Sequence, residues 1–273
     1  MDRVSQYLIR NVIYNGNTLT DEDILLRILI FKIFNKPETW ENLENRVGII
    51  TVKNFDLPRI NKALLEVKQV QPIFNNAYMM TGTHSLYNHL KFKHEKWLEM
   101  VKKEIIGNSI LKKVINSKSL SEVYELLRGC SFNGDFLAYQ YTIDMNYSNV
   151  IDFSENSFVK AGIGAIRGIK KCFEPLDKQY NYEDAIRYTQ DNFDRYANKF
   201  GYVEFKPLFG REPMLIDLQN CFCETDKYLR AKIPELQVDN KRIKQKYKET
   251  KKVIELFFPP KWNINNEILK PCI

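Results

Sequence analysis

The chain has 273 residues, 41 Lys and Arg against 34 Asp and Glu, and 44% hydrophobic residues, giving a formal net charge of +7. A chain this long and this apolar buries roughly three quarters of the surface its unfolded form exposes, which excludes a disordered tail and any need for disulfides or a structural metal. The basic excess suits nucleic acid or another anionic partner without naming one. Met1 to Asn11 alternates charged and apolar residues with no apolar h-region, and no apolar run is long enough to span a bilayer, so no membrane is expected and the setting is cytoplasmic.

The hydrophobic period is helical almost throughout. Thr20 followed by Asp21, Glu22 and Asp23 is an N-cap with an acidic first turn, opening an amphipathic run from Ile24 to Phe34 that stops at Asn35-Lys36-Pro37. A short helix begins at Glu38-Thr39-Trp40 and another follows Leu57-Pro58, with Gly48 to Val52 between them a strand candidate lacking a partner. Helical patterns resume over Ser85–Ile106, Ser109–Asn116, Ser119–Leu127, Asp135–Tyr147, Ala165–Phe173, Tyr182–Lys199 and Pro213–Ala231. Near the end, Asn240 to Lys252 sets seven Lys and Arg against Glu249 alone, and reads either as a phosphate-contacting helix or as a solvated face. His84, His89 and His94 stand five apart, which scatters them around a helix. The five cysteines (Cys130, Cys172, Cys221, Cys223, Cys272) have no zinc spacing and read as reduced thiols, so neither a metal nor a cofactor is expected.

Three stretches carry chemistry. Phe158-Val-Lys-Ala-Gly162-Ile-Gly164-Ala-Ile-Arg167-Gly168-Ile-Lys170-Lys171 places two glycines around an apolar residue, the pattern of a tight helix-to-helix hairpin with free N–H groups for a phosphate. A dinucleotide fingerprint needs a preceding strand and a third glycine where Arg167 stands, and a plain structural turn with no ligand is the remaining reading. In the run from Ile216 to Arg230, Asp217, Asn220, Cys221, Glu224, Lys227 and Tyr228 share one helix face and Leu218, Phe222 and Leu229 another. A carboxylate on such a face stabilises an oxocarbenium-like sugar or activates water, the needs of N-glycosidic cleavage; an exposed face with Glu224 pairing to Lys227 or Tyr228 is the plainer reading. From Gly134 to Tyr147, the residues Phe136, Gln140, Asp144 and Tyr147 share a face, aromatic groups with an amide and a carboxylate, the equipment for holding a flipped base or simply for a half-buried helix.

Together these stretches, with Gln6 to Asn15, Arg27 to Asn35 and Thr39-Trp40, resemble the alpha-glutamyl/putrescinyl thymine pyrophosphorylases, related to the helical domain of phage hydroxymethyluracil DNA kinases. The resemblance runs from about residue 6 to about 231 and implies an all-α, helix-hairpin-helix DNA-glycosylase-like fold. Two helical lobes would flank a cleft, one of about 1–118 plus 236–273 and the other about 119–235. It implies catalytic Asp217, Asn220 and Glu224. Gly162, Gly164, Arg167, Lys170 and Lys171 would hold DNA, and Lys32, Asn35, Phe136, Gln140, Asp144, Tyr147, Lys227 and Tyr228 would surround the base. With no P-loop the chain is not expected to be the kinase, and the resemblance implies an activity on modified pyrimidines in DNA; the preferred reading is removal of a hydroxymethylated or hypermodified pyrimidine from phage-type DNA, leaving an abasic site, in anti-phage defence. The alternatives are amine transfer, from an amino acid or polyamine, onto an activated 5-hydroxymethyl pyrimidine, and a non-catalytic DNA-binding module.

Overall fold

The computed structural model describes residues 2–16, 18–76, 80–202, 207, 209–237 and 255–268, so the basic stretch Asn240 to Lys252 and Cys272 lie outside the described residues. Regular structure among the described residues is helical and includes no strand, as the periodicity predicts. They fall into two compact units: residues up to Phe153 with 255–262, and residues from Ser154 to 237 with 263–268. The lobe boundary expected near residue 118 lies inside the first of these.

The first unit contains α1 (Arg3–Tyr7), which runs on as a π-helical turn over Leu8–Ile13, then α2 (Asp21–Phe34), α3 (Pro37–Val47) and α4 (Leu57–Val70). These are followed by α5 (Lys93–Met100) with a second π turn (Val101–Ile106), α6 (Ile110–Ile115), α7 (Leu120–Arg128) and α8 (Asp135–Asn146). Its centre is α2. The helix starts where Thr20 Oγ1 accepts from the Asp23 N–H at 3.2 Å and Asp23 Oδ2 accepts from the Thr20 N–H at 3.2 Å. It ends where Asn35 takes a left-handed conformation (φ 48°), which asparagine tolerates better than most residues.

Read as amphipathic from the sequence, α2 is in fact buried on every side: Leu25, Leu26, Ile28, Ile30 and Phe31 are inaccessible, and so is Arg27. An apolar run with no polar face belongs in the middle of a bundle, and α2 packs on α3, α6, α8 and the first π turn. The Arg27 guanidinium is tolerated there because Nη1 meets Glu44 Oε1 at 2.5 Å and its carbon lies 4.9 Å from the centre of the Trp40 ring.

Two other expectations need correction. Gly48 to Val52 is not a strand: the Thr51 N–H donates to Asn54 Oδ1 at 2.7 Å and the Asn54 N–H to Thr51 Oγ1 at 3.2 Å, closing a turn by side chains. The span Ser85–Ile106 is a short 3-10 turn (Ser85–Tyr87) separated from α5, which begins only at Lys93.

His94, in the first turn of α5, is 1% exposed, and burial pulls its pKa down to about 4 from an ordinary 6.5. The unfolded chain therefore binds the proton more readily, so stability is lost as pH falls through 6.5 towards 4, by up to about 3 kcal/mol. Urea midpoints at pH 7 and pH 4.5 should differ accordingly, and His94→Gln should flatten the difference.

The second unit holds α9 (Ile163–Cys172), α10 (Tyr182–Asp191), α11 (Phe193–Lys199), α12 (Leu215–Lys232) and the short α13 (Asn265–Ile268). The pattern Tyr182–Lys199 is two helices, broken at Asn192, whose φ of −112° and ψ of 16° leave the helical region. The pairing of α9 with α12 dominates this unit.

Candidate functional site

In the first unit, α2 and α8 bring Lys32 and Asp144 together. The ammonium lies 3.0 Å from Asp144 Oδ2, with both side chains less than a tenth exposed. Burial pushes the Asp144 carboxyl up from its ordinary range, and Lys32 opposes that shift only in part. A buried pair of this kind is weak support for a fold, because the loss of hydration rivals the attraction between the charges.

The same segments carry buried polar atoms without hydrogen-bond partners among the described residues: Asn35 Oδ1 at the end of α2, and Gln140 Nε2 and the Tyr141 hydroxyl on α8. Asn35 is one turn from Lys32, and Gln140 and Tyr141 are one turn from Asp144. Burial, and then the Asp144 charge, raises the Tyr141 pKa far above its usual value. Each such atom costs about 1–3 kcal/mol to leave unmet, so three of them on the two helices that hold the ion pair call for water or a ligand. Of the other residues expected at a base, Phe136 is 42% exposed, whereas Tyr147 is buried with its ring edge-on to Trp262 at 5.6 Å. Tyr141 was missed by the sequence reading because on a helical wheel it lies off the stripe through Phe136, Gln140 and Asp144.

In the second unit the glycine segment does not form a tight helix-to-helix hairpin. Residues 148–162 contain no helix, and Gly162 is the extended N-cap of α9 (φ −73°, ψ 163°), a conformation open to any residue. The glycines answer to packing instead. A Cβ on Gly168 would lie 2.7 Å from the backbone carbonyl carbon of Phe222, and one on Gly164 would meet Cys223 Sγ. Gly164-x-x-x-Gly168 is thus the stripe that lets α9 approach α12 closely, a spacing visible in the sequence but read there as a phosphate grip.

Lys171 is tied to Asp226 of α12, whose other oxygen accepts from Arg230 Nε at 3.0 Å. Asp226, which the sequence reading passed over, is the buried carboxylate of this helix. Lys170 stands 5.8 Å from the centre of the Tyr182 ring. Arg167 is half-buried, and its guanidinium meets no carboxylate among the described residues.

The two faces predicted for α12 are present. Leu218 and Phe222 are buried, while Asn220, Glu224, Lys227 and Tyr228 are exposed, with Glu224 paired to Lys227. Asp217 is 45% exposed; its Oδ2 accepts from the Met214 N–H at 2.9 Å and faces Arg211 Nη1 at 3.8 Å. The helix's own first turn therefore orients that carboxylate. Burial pushes the thiols of Cys221 and Cys223 up, and that of Cys130 to about 12, so none of the three is primed as a nucleophile.

Among the described residues no helix is long and apolar enough to cross a membrane, and no three metal-ligating side chains cluster. The molecule is thus an all-helical protein with charge and unmet polar atoms buried at the heart of its first unit. It belongs to the family described as the helical domain of 5-hmdU DNA kinase, which matches residues 1–238. A search of curated proteins and one of solved structures returned no match.

Proposed function

We propose that this chain acts on a hydroxymethylated or further modified pyrimidine in DNA, and that the reaction is cleavage of the N-glycosidic bond. The observation that carries the first part is the set of unpartnered buried groups on the helices that hold Lys32 and Asp144, in a member of a family named for a 5-hmdU DNA kinase. A pyrimidine edge offers carbonyl oxygens and an imide N–H, and its 5-hydroxymethyl group both donates and accepts. Gln140 Nε2 suits a carbonyl, Asn35 Oδ1 suits the imide N–H, and the Lys32–Asp144 pair suits the hydroxyl. Bringing a base to such groups requires extruding it from the duplex.

For the cleavage itself a carboxylate that stabilises positive charge on the sugar is required, and Asp217 of the second unit is the candidate that the family resemblance names, proposed independently of the Lys32–Asp144 cluster. Its support is accessibility combined with an orientation fixed by the Met214 N–H. The N-terminus of α9, whose first N–H groups have no acceptor within the helix, is the proposed backbone-phosphate contact, with Arg167 beside it.

The test is incubation of the purified protein with duplexes carrying a single thymine, hydroxymethyluracil, hydroxymethylcytosine or glucosylated hydroxymethylcytosine, followed by alkali. Strand breaks at modified positions only are expected. Asp217→Asn should lower turnover by at least a hundredfold while DNA affinity is kept, because an interaction made mainly in the transition state is lost. Mass gain on a pyrophosphorylated base in the presence of glutamate or putrescine, without breaks, would replace hydrolysis by amine transfer. No product on any substrate would leave a binding module.

A further inference from the structure

A second feature of the first unit lies beyond the end of α2, where the Asn75 amide donates to the Asn35 carbonyl at 2.9 Å. Lys68 at the end of α4, Pro72, Ile73, Phe74 and Asn76 after it, and Lys93 and His94 at the start of α5 line a cavity of about 230 Å³. We infer that this cavity is a binding site for the phosphate or diphosphate group of a small ligand.

Charge is the first ground. Lys68 Nζ lies 4.2 Å from the centre of the Phe92 ring, with Lys91 Nζ 5.2 Å from the same ring, and Lys93 Nζ lies 3.9 Å from the centre of Phe74. Lys36 donates to the Pro72 carbonyl, and Lys96 to the Gly82 carbonyl at 3.1 Å. None of these five ammonium groups meets a carboxylate among the described residues. Rings and carbonyls position an ammonium without cancelling its charge. Glu95, the carboxylate in the first turn of α5, is turned onto the Phe92 N–H at 2.8 Å and closes the helix end.

The second ground is the inner wall. His94 is 1% exposed and its Nε2 has no hydrogen-bond partner among the described residues. The backbone N–H groups of Lys93 and His94 open α5 and have no acceptor within the helix. Burial lowers the Lys93 pKa, consistent with an ammonium partly stripped of water and lacking a counter-charge. Lysines, free helix donors and an unmet buried imidazole around one small cavity form the chemistry that takes a multiply charged oxyanion.

The probe is sodium pyrophosphate, titrated calorimetrically into the full chain at constant ionic strength, with phosphate as a second arm. Saturable binding at one site is expected, weakened at least tenfold by Lys68→Gln and by Lys93→Gln and unchanged by Lys112→Gln on α6. A duplex without terminal phosphates, titrated into the same variants, separates the sources of phosphate. If that duplex loses affinity in the Lys68 and Lys93 variants while pyrophosphate does not bind, the lysines contact the DNA backbone and the inference fails. It fails equally if pyrophosphate binds all four proteins alike. A thermal melt of each variant, expected within a degree or two of the parent since Lys68 is exposed and Lys93 half-buried, keeps loss of binding distinct from loss of fold.

Discussion

Gly168→Ala is expected to destabilise the protein by about 3 kcal/mol or more, while Gly164→Ala costs about 1 kcal/mol or less. Both glycines face α12, and on an isolated helix either change would be worth about 1 kcal/mol in favour of Ala. What separates them is the neighbour. A methyl on Gly168 runs into the backbone of Phe222, with its carbonyl carbon at 2.7 Å, and backbone cannot step aside without moving the helix. A methyl on Gly164 meets the Cys223 side chain, which has a rotamer to give up. Urea unfolding followed by far-UV circular dichroism measures both, and Cys223→Ala combined with Gly164→Ala should recover whatever the single change lost. Equal midpoints for the two glycine variants would show that the close approach of α9 to α12 is not what these residues provide. If the glycines served only to grip phosphate, the change would appear in DNA affinity at unaltered stability.

That contrast shows where sequence reasoning ran out. The 3.6-residue period placed α2, α7, α8 and α12 close to where they lie, because each is long enough for its apolar side chains to declare a face or a core. Within α12 it separated buried Leu218 and Phe222 from exposed Asn220, Glu224 and Tyr228. A glycine pair, however, satisfies a turn, a phosphate contact and a helix crossing equally well, and only the position of Phe222 decides among them. Buried charge is harder still to read. Arg27 lies in an apolar helix whose partner Glu44 is on α3, and Asp226 pairs with Lys171 from a helix more than fifty residues away as well as with Arg230 on its own. Helical spacing exposes the last of these pairs and neither of the others. The Lys32–Asp144 contact spans more than a hundred residues, and the two positions became candidates by different routes: Asp144 as a carboxylate on a face with Phe136 and Tyr147, Lys32 only through the family resemblance.

Lys32→Met should cost about 3–5 kcal/mol, since it leaves the Asp144 carboxylate buried without its counter-charge. The deficit has a pH signature. Burial already holds the Asp144 pKa above its ordinary value, and removing Lys32 takes away the group that opposes this. A carboxyl whose folded pKa is raised keeps its contribution below its unfolded pKa and loses it as pH rises through the folded value, so the deficit should be small near pH 4 and grow towards neutrality. Urea midpoints across that range check the sign. Replacing both partners, Lys32→Met with Asp144→Leu, should return much of the stability, because two apolar side chains avoid the desolvation that the pair must offset. The double variant then separates structure from function. If the pair serves only the core, the protein should keep whatever activity on modified DNA the parent has. If it holds the hydroxymethyl group, the double variant should fold, bind unmodified duplex as before and lose its discrimination between hydroxymethyluracil and thymine. Full activity and discrimination in a folded double variant would refute the assignment of the Lys32–Asp144 cluster as the base site.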